Sequence, residues 1–134
     1  MHPSRESPYL LVGKSKMHGK GVFARTNIPK NKTLIEYTGE KISRAECFKR
    51  DAEQKGAFYV FELNKKWGVD GKTGGDAKYI NHSCDPNCKY FRRNGKIWIR
   101  SIKNIKKGQE ITYNYCADGQ RKCKCGAKNC DGWM

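Results

Sequence analysis

Apolar residues occur along the chain in short runs, several of them rich in β-branched or aromatic side chains, and each run predicts a strand. Within residues 21–25, apolar and polar side chains alternate, as expected for a strand with one buried face. The predicted strands cover residues 9–12, 21–25, 33–37, 57–63, 89–93 and 96–101, and a last strand ends at Tyr115. Asn94-Gly95 gives the strongest hairpin signal, because both residues readily adopt positive φ.

One segment carries helical signals instead. Ser43-Arg44-Ala45-Glu46 is a capping box, in which the serine and glutamate side chains can each satisfy a backbone N–H at a helix start. Gly56 is suited to the C-terminal cap, which predicts a helix over residues 44–55. Many short strands with one main helix predict a mostly-β fold.

The remaining segments define the domain limits. Residues 1–8 are polar and are expected to be frayed, so the predicted domain covers residues 9–116. Residues 117–134 show no further periodicity and form a separate tail. The Ile28-Pro29-Lys30-Asn31-Lys32 turn resembles the later sequence Ile105-Lys106-Lys107-Gly108-Gln109, which predicts two similar turn–strand units.

Composition limits the class of protein. At 134 residues and 37% hydrophobic, the chain suits one domain with a modest core. Neither a signal peptide nor a membrane-spanning run is recognisable, so an intracellular protein with no membrane partner is expected. In that setting, seven cysteines favour metal binding over disulfides.

The net charge of +15 is unevenly distributed. Residues 36–76 hold eight acidic and eight basic side chains, so five acids and twenty bases elsewhere supply the whole excess. Such a basic surface predicts a polyanionic partner, with a merely solubilising surface as the alternative. The clustered bases are Arg92-Arg93, Lys103, Lys106-Lys107 and residues 121–124.

Two cysteine-containing segments carry the candidate chemistry. Residues 79–88 place the amide of Asn81, the imidazole of His82, a serine hydroxyl and two thiols within ten positions, which suits a loop holding a small polar ligand. The tail adds Cys123, Cys125 and Cys130, three thiolates for a tetrahedral zinc site. The sequence leaves the fourth ligand open, and its candidates are Cys84, Cys88 and Cys116.

Five motifs in the same order resemble those of the SET-domain protein lysine methyltransferases. They are His18-Gly19-Lys20-Gly21-Val22-Phe23, Glu36-Tyr37-Thr38-Gly39-Glu40, Asn81-His82-Ser83-Cys84 with Pro86-Asn87, Glu110-Ile111-Thr112-Tyr113-Asn114-Tyr115, and the Cys123, Cys125 and Cys130 tail. The departures from the family pattern are Asp76 for Asn, Lys78 for Arg, Tyr79 for Phe and Asn114 for Asp. The cysteine-rich pre-SET module of many relatives has no counterpart, which leaves substrate choice open.

The resemblance implies a SET-domain β-fold of short sheets with one main helix. It also implies a knot-like crossing, in which the closing segment (residues 110–115) threads past the central loop (residues 79–88), and a small zinc-bound post-SET tail over residues 117–134. The family pattern selects Cys84 as the fourth ligand of one zinc ion, with Cys123, Cys125 and Cys130. The metal would then clamp the tail onto the central loop and carry Trp133 over the same pocket.

The implied activity is methyl transfer from S-adenosylmethionine to a protein lysine. The main obstacle is protonation, since an amine with a pKa of about 10.4 costs roughly 4.6 kcal/mol to deprotonate at pH 7. An apolar channel lined by tyrosines would lower that cost. The candidate channel tyrosines are Tyr37, Tyr59, Tyr113 and Tyr115, whereas Tyr90 is expected to be a core residue with a hydrated hydroxyl. By resemblance, the Tyr115 hydroxyl lies at the transferring methyl, and Tyr113 controls the number of methyl groups, favouring mono- or dimethylation. The implied cofactor contacts are Lys16, His18, Gly19, Lys20, Gly21, Lys78, Tyr79, Asn81, His82, Tyr115 and Trp133.

A histone or another chromatin or DNA-associated protein is the expected substrate, with nucleosome or nucleic-acid contact through the basic surface. The alternative is an acidic protein substrate that the positive surface recruits directly. The expected location is the nucleus and chromatin in a eukaryote, and the cytoplasm, nucleoid or a host nucleus for a bacterial protein. The first alternative is a catalytically inactive, zinc-stabilised nucleic-acid-binding module, which the charge favours and the intact tyrosine motif disfavours. The second is a redox or metal-handling protein, supported only by the cysteine tail.

Overall fold

A computed structural model of the chain describes residues 1–16, 19–53 and 59–115. These residues form eleven strands, one α-helix (α1, Arg44–Glu53) and two short 3₁₀ helices (Gly71–Thr73 and Asp76–Tyr79). The strands are β1 His2–Pro3, β2 Leu10–Lys14, β3 Lys20–Ala24, β4 Thr33–Tyr37, β5 Glu40–Ser43, β6 Val60–Glu62, β7 Trp67–Asp70, β8 Asn81–His82, β9 Cys88–Arg93, β10 Lys96–Ser101 and β11 Thr112–Tyr113. The mostly-β prediction is therefore confirmed.

The strands assemble into small separate sheets. Three antiparallel sheets have the orders β1-β2-β3, β4-β10-β9 and β5-β7-β6, and β8 pairs with β11 as a parallel couple. Apolar side chains from the first two sheets meet in one core with residues from the connecting segments, and Leu10, Val22, Ile97, Ile99 and Ile111 are fully buried there. Within the described parts of the chain, no helix is long and apolar enough to cross a membrane.

The predicted hairpin is confirmed. Strands β9 and β10 pair from Arg93 opposite Lys96 to Cys88 opposite Ser101. At the turn, Asn94 has φ +52° and Gly95 has φ +72°. Two consecutive positive φ angles match the type I′ turn, whose twist agrees with that of the flanking strands.

The predicted helix start is also confirmed. Ser43 caps α1, since its Oγ accepts a hydrogen bond from the Glu46 N–H at 3.2 Å. At the other end, Arg50 bonds Glu46 at 2.8 Å within the helix and the buried Asp70 of β7 at 3.0 Å, which fixes α1 to its sheet. The last predicted helical residues, 54 and 55, lie outside the described part of the chain.

The expectation that residues 1–8 are frayed is wrong. His2 and Pro3 pair with Val12 and Leu11 of β2, and the buried Ser4 donates its hydroxyl proton to Asp76 Oδ2 at 2.7 Å. The polar composition suggested solvent exposure, but the polar groups find partners within the protein.

The two similar turns pair with each other. Ile28 and Ile105 form an isolated antiparallel bridge, and each backbone N–H donates to the other's carbonyl oxygen at 2.8 Å. Lys30 N donates to Asn104 Oδ1 and Lys107 N to Asn27 Oδ1, both at 2.9 Å. The sequence similarity therefore corresponds to two turns that lie side by side.

Candidate active site

The central loop and the closing segment meet through the parallel pair β8–β11. Asn81 lies opposite Thr112 and His82 opposite Tyr113, while the Ser83 N–H donates to the Tyr113 carbonyl at 3.1 Å. The Asn87 side chain adds two bonds, donating to the Glu110 carbonyl at 2.8 Å and accepting from the Thr112 N–H at 2.9 Å. This is the contact that the predicted knot-like crossing requires.

His82 links the loop to Tyr115. Its Nδ1 accepts the Tyr115 backbone N–H at 3.0 Å, so in the neutral ring the proton resides on Nε2. That Nε2–H faces Cys84 Sγ at 3.3 Å. Burial lowers the pKa of His82, which favours this neutral tautomer at physiological pH.

The Tyr115 hydroxyl is held in a defined orientation. It donates to the Ile80 carbonyl oxygen at 2.6 Å, while its ring lies 5.1 Å from the His82 ring and 5.0 Å from the Tyr113 ring, centroid to centroid. Burial, followed by the electrostatic influence of Tyr59 and of the Glu110 carboxylate, raises the pKa of Tyr115, so the side chain remains a neutral phenol. A phenol that donates to a carbonyl presents its own oxygen as an acceptor.

Tyr115 belongs to an aromatic cluster, formed by Tyr37, Phe61, Tyr90, Tyr113 and Tyr115. Phe61 lies at its centre, with centroid distances of 4.5 Å to Tyr37, 4.9 Å to Tyr90 and 6.0 Å to Tyr113. Burial raises the pKa values of Tyr37 and Tyr113, and the Tyr37 hydroxyl donates to the Tyr59 carbonyl at 2.8 Å. The cluster forms an apolar surface with phenol groups placed along it.

Two cluster members were not predicted as site residues. Phe61 lies two positions after Tyr59 on a predicted strand, so the two residues are expected on the same face of that strand. This spacing could have indicated Phe61 as a site residue. Tyr90 was interpreted as a core residue with a hydrated hydroxyl. It is half-buried, and its ring contacts both Phe61 and Tyr113.

The described part of the predicted glycine-containing cofactor loop (residues 16 and 19–21) contacts Asn81. Gly19 has φ +48°, a conformation that favours glycine, and Asn81 Nδ2 donates to the Lys20 carbonyl oxygen at 3.1 Å. A Cβ at Gly21 would lie 2.6 Å from Glu110 Oε2 and 2.9 Å from Ser15 Cβ, so a larger residue would force this region apart. Glu110 and Ser15 were not predicted as site residues, although Glu110 opens the tyrosine motif.

Lys78 and Tyr79 are next to this loop. Lys78 Nζ donates to the carbonyl oxygens of Lys72 and Gly74 at 3.2 and 3.1 Å. The ammonium groups of Lys20 and Lys78 lie 4.9 and 5.2 Å from the centre of the Tyr79 ring. Lys16, the first predicted contact of the loop, is exposed.

Several predicted site residues lie outside the described part of the chain: His18, Cys123, Cys125, Cys130 and Trp133. Of the predicted zinc ligands, Cys84 is described and is half-buried. Residues 1–16, 19–53 and 59–115 contain no group of three or more histidine, cysteine or acidic side chains that could hold a metal ion. Cys88 is fully buried, which raises the pKa of its thiol to about 12 and disfavours a thiolate ligand there.

Comparison with known proteins adds a family match. A family model described as SET domain matches residues 19–116. The chain is 39% identical over 138 residues to human "Histone-lysine N-methyltransferase 2D", covering 93% of this chain and 2% of that protein. It is 33% identical over 144 residues to "Histone-lysine N-methyltransferase ASHR3" of Arabidopsis thaliana, covering 98% of this chain and 29% of that protein.

A third relative is "Histone-lysine N-methyltransferase, H3 lysine-4 specific" of Emericella nidulans, 33% identical over 145 residues, with 97% of this chain and 12% of that protein covered. The chain thus spans less than a third of the length of each of these relatives.

Proposed function

Because the chain belongs to the SET-domain family, we propose that it is a protein-lysine N-methyltransferase that uses S-adenosylmethionine. The observation that carries this proposal is the β8–β11 pair, which brings Tyr115 and the aromatic cluster against Asn81 and His82 of the central loop. The names of the relatives favour a histone as the substrate. A histone substrate would locate the protein at chromatin, in the nucleus of a eukaryote.

The residues present fit the proposed cofactor. The buried amide of Asn81 and the glycine-containing loop form a polar cradle beside the aromatic cluster, and the Glu110 carboxylate suits a cationic ligand. When bound, S-adenosylmethionine supplies a methyl group on positively charged sulfur. Direct displacement needs alignment of the two reactants more than it needs a covalent nucleophile.

The chain's own residues would prepare the lysine. The apolar rings of the aromatic cluster favour the neutral amine by excluding water, which offsets part of the roughly 4.6 kcal/mol cost of deprotonation. The Tyr115 oxygen, oriented by the bond to Ile80, can accept a weak C–H···O contact from an activated methyl group. His82 maintains the backbone of Tyr115 in register with the central loop.

Incubation with labelled S-adenosylmethionine and core histones tests the proposal. Label in a histone lysine is expected, and loss of the label after boiling the enzyme is the control. DNA binding without label would favour an inactive nucleic-acid-binding module. If neither histone labelling nor DNA binding occurred and metal-dependent thiol chemistry were found, a metal-handling protein would be favoured.

Zinc is part of the same proposal. Cys84, on the described central loop, would form a four-thiolate site with Cys123, Cys125 and Cys130. The half-buried location of Cys84 and the unsuitable burial of Cys88 support this set over the alternative that uses Cys88.

Tyr113 gives a prediction about the product. Its side chain is buried beside Tyr115, where a hydroxyl can retain a water in the space that a methylated amine needs in order to rotate. We expect mainly mono- or dimethyl-lysine from the unmodified enzyme. Tyr113→Phe should shift the main product to a higher methylation state, as measured by mass spectrometry of the substrate.

Tyr90→Phe is the matched control for this experiment, because the Tyr90 ring contacts Tyr113 at 5.9 Å within the same cluster. Its product distribution should remain that of the unmodified enzyme. Mostly trimethyl-lysine from the unmodified enzyme would contradict the role of Tyr113.

The two paired turns carry several exposed lysine side chains. This twin-turn surface consists of Lys30, Lys103, Lys106 and Lys107, all exposed, with Lys103 also paired to Asp85 at 3.0 Å. Arg92, which the sequence grouped with these lysines, instead donates to the Glu62 carbonyl. We propose that the twin-turn surface contacts DNA phosphates, because a basic protein would otherwise repel a basic histone tail.

Charge reversal tests the DNA contact. Lys106→Glu with Lys107→Glu should weaken methylation of a nucleosomal substrate and reduce the slope of log affinity against log salt by roughly 1.8, at about 0.9 per phosphate contact. Lys65→Glu with Lys66→Glu, two exposed lysines between β6 and β7, is the control and should change little. Binding affinity and methylation rate are both measured on one substrate, free and DNA-bound, across a salt series. Equal rates in both forms with a flat salt response would contradict the contact.

A further inference from the structure

The carboxylate of Glu110 joins three segments of the candidate site. Its two oxygens accept the Ser15 hydroxyl at 2.8 and 3.0 Å, and Oε2 also accepts Asn81 Nδ2 at 2.8 Å. Ser15 precedes the glycine-containing loop, Asn81 lies in the central loop, and Glu110 itself opens the closing segment. One side chain therefore connects all three.

The backbone on both sides of Glu110 is fixed. Glu110 forms an isolated antiparallel bridge with Phe23 of β3, and the next residue, Ile111, donates its N–H to the Val22 carbonyl at 2.7 Å. The Glu110 carbonyl accepts Asn87 Nδ2 at 2.8 Å. The carboxylate also occupies the space that a side chain at Gly21 would need. Its position is therefore built into the fold.

Glu110 takes part in none of the ion pairs found among the described residues. The protein nevertheless carries a net charge of +15. Its donors are a hydroxyl and an amide, both neutral. Its negative charge also contributes, after burial and Tyr59, to the raised pKa of Tyr115, so its field reaches the phenol.

These hydrogen bonds also determine the orientation of the Asn81 side-chain amide. Its nitrogen donates to the Lys20 carbonyl and to Glu110, so both amide hydrogens are directed to protein acceptors and the amide oxygen is turned away from Glu110. A glutamine at position 110 retains one amide oxygen that can accept from Asn81, so this replacement removes the negative charge while it can retain the hydrogen bond to Asn81.

We propose that Glu110 is a positioning residue and counter-charge of the cofactor site, orienting Asn81 and favouring a sulfonium ligand over its neutral thioether product. This inference rests on the proposed function. S-adenosylmethionine carries one more positive charge than S-adenosylhomocysteine, and the two are otherwise closely similar. A preference set by Glu110 therefore appears as a ratio of two dissociation constants.

Calorimetric titration with each compound measures that ratio. Glu110→Gln should weaken S-adenosylmethionine binding about two- to tenfold more than S-adenosylhomocysteine binding, as expected for unit charges on the order of 10 Å apart. The difference should decrease at high salt. Glu110→Asp retains the charge, so it should preserve the ratio even where both affinities fall.

Ser15→Ala is the matched control, because it removes one donor to the carboxylate and leaves the charge in place. The ratio of the two dissociation constants should be the same for Ser15→Ala as for the unmodified protein. Urea unfolding of each variant establishes that the comparison is between folded proteins. Equal weakening of both compounds by Glu110→Gln would overturn the counter-charge. If the unmodified protein bound neither compound, the proposed function itself would fail.

Discussion

Replacing Tyr115 by phenylalanine is expected to lower methyl-transfer turnover by about 10²–10³-fold, a range typical for loss of one preorganised polar group at a reaction centre. The hydroxyl is oriented by its bond to the Ile80 carbonyl at 2.6 Å, and the ring is held by His82 and Tyr113. Phenylalanine would retain the ring contacts and remove the oxygen. The loss should therefore appear in turnover, with the fold intact.

The measurement is single-turnover methylation of a histone substrate, with S-adenosylmethionine affinity determined separately. Loss of the partly buried hydrogen bond to the Ile80 carbonyl should also cost about 0.5–1.5 kcal/mol in the free energy of unfolding, which urea titration detects. Tyr9→Phe is the control, because Tyr9 lies outside the aromatic cluster and its ring, which Lys32 Nζ approaches to 5.1 Å from the centroid, is retained in the variant. Near-normal turnover of Tyr115→Phe would place the chemistry elsewhere.

Features determined by neighbouring residues were predictable from the sequence. The Asn94-Gly95 turn and the Ser43 cap each depend on backbone preferences within a few positions, and both are present. The similarity of the two turn sequences also had a structural counterpart, although their direct pairing through Ile28 and Ile105 was not predicted.

Features that depend on distant partners were not predictable in this way. Strand β5 has one buried side chain, Ile42, and its other residues are polar or charged, a pattern that suggests a loop. The structure shows that Arg50 of α1 forms ion pairs with both Glu40 and Asp70. Residues 1–8 appear unstructured until Asp76 is placed beside Ser4. Local pattern does not encode such contacts, since each joins residues far apart in sequence.

The candidate site shows the same division. Family resemblance, not periodicity, brought together the central loop and the tyrosine motif, and the structure pairs them through β8 and β11. Glu110 was overlooked because an isolated acid in a strand-like motif carries no distinctive pattern. Its importance appears only when Ser15 and Asn81 are found to donate to it.

Replacement of one zinc-binding cysteine is the second change for which we expect a large effect, on both zinc content and cofactor affinity. If Cys84, Cys123, Cys125 and Cys130 hold one zinc ion, then Cys84→Ser or Cys125→Ser should abolish stoichiometric zinc and weaken S-adenosylmethionine binding at least tenfold. The reason is that metal binding and ordering of the tail are expected to be coupled, with structural zinc contributing about 10–16 kcal/mol in small zinc domains. Metal analysis of freshly purified protein and calorimetric titration provide the two measurements.

Cys84 connects this clamp to the described site. Its sulfur faces Nε2–H of His82 at 3.3 Å, and Nδ1 of the same ring holds the backbone of Tyr115 at 3.0 Å. Removing the thiol should therefore disturb Tyr115 as well as the metal, so Cys84→Ser should lose more turnover than Cys125→Ser at saturating cofactor. Cys47→Ala, which alters a buried thiol beside Gly68, is the control and should retain one zinc per chain. The clamp would be refuted by zinc-free protein as purified, or by unchanged cofactor affinity in Cys125→Ser.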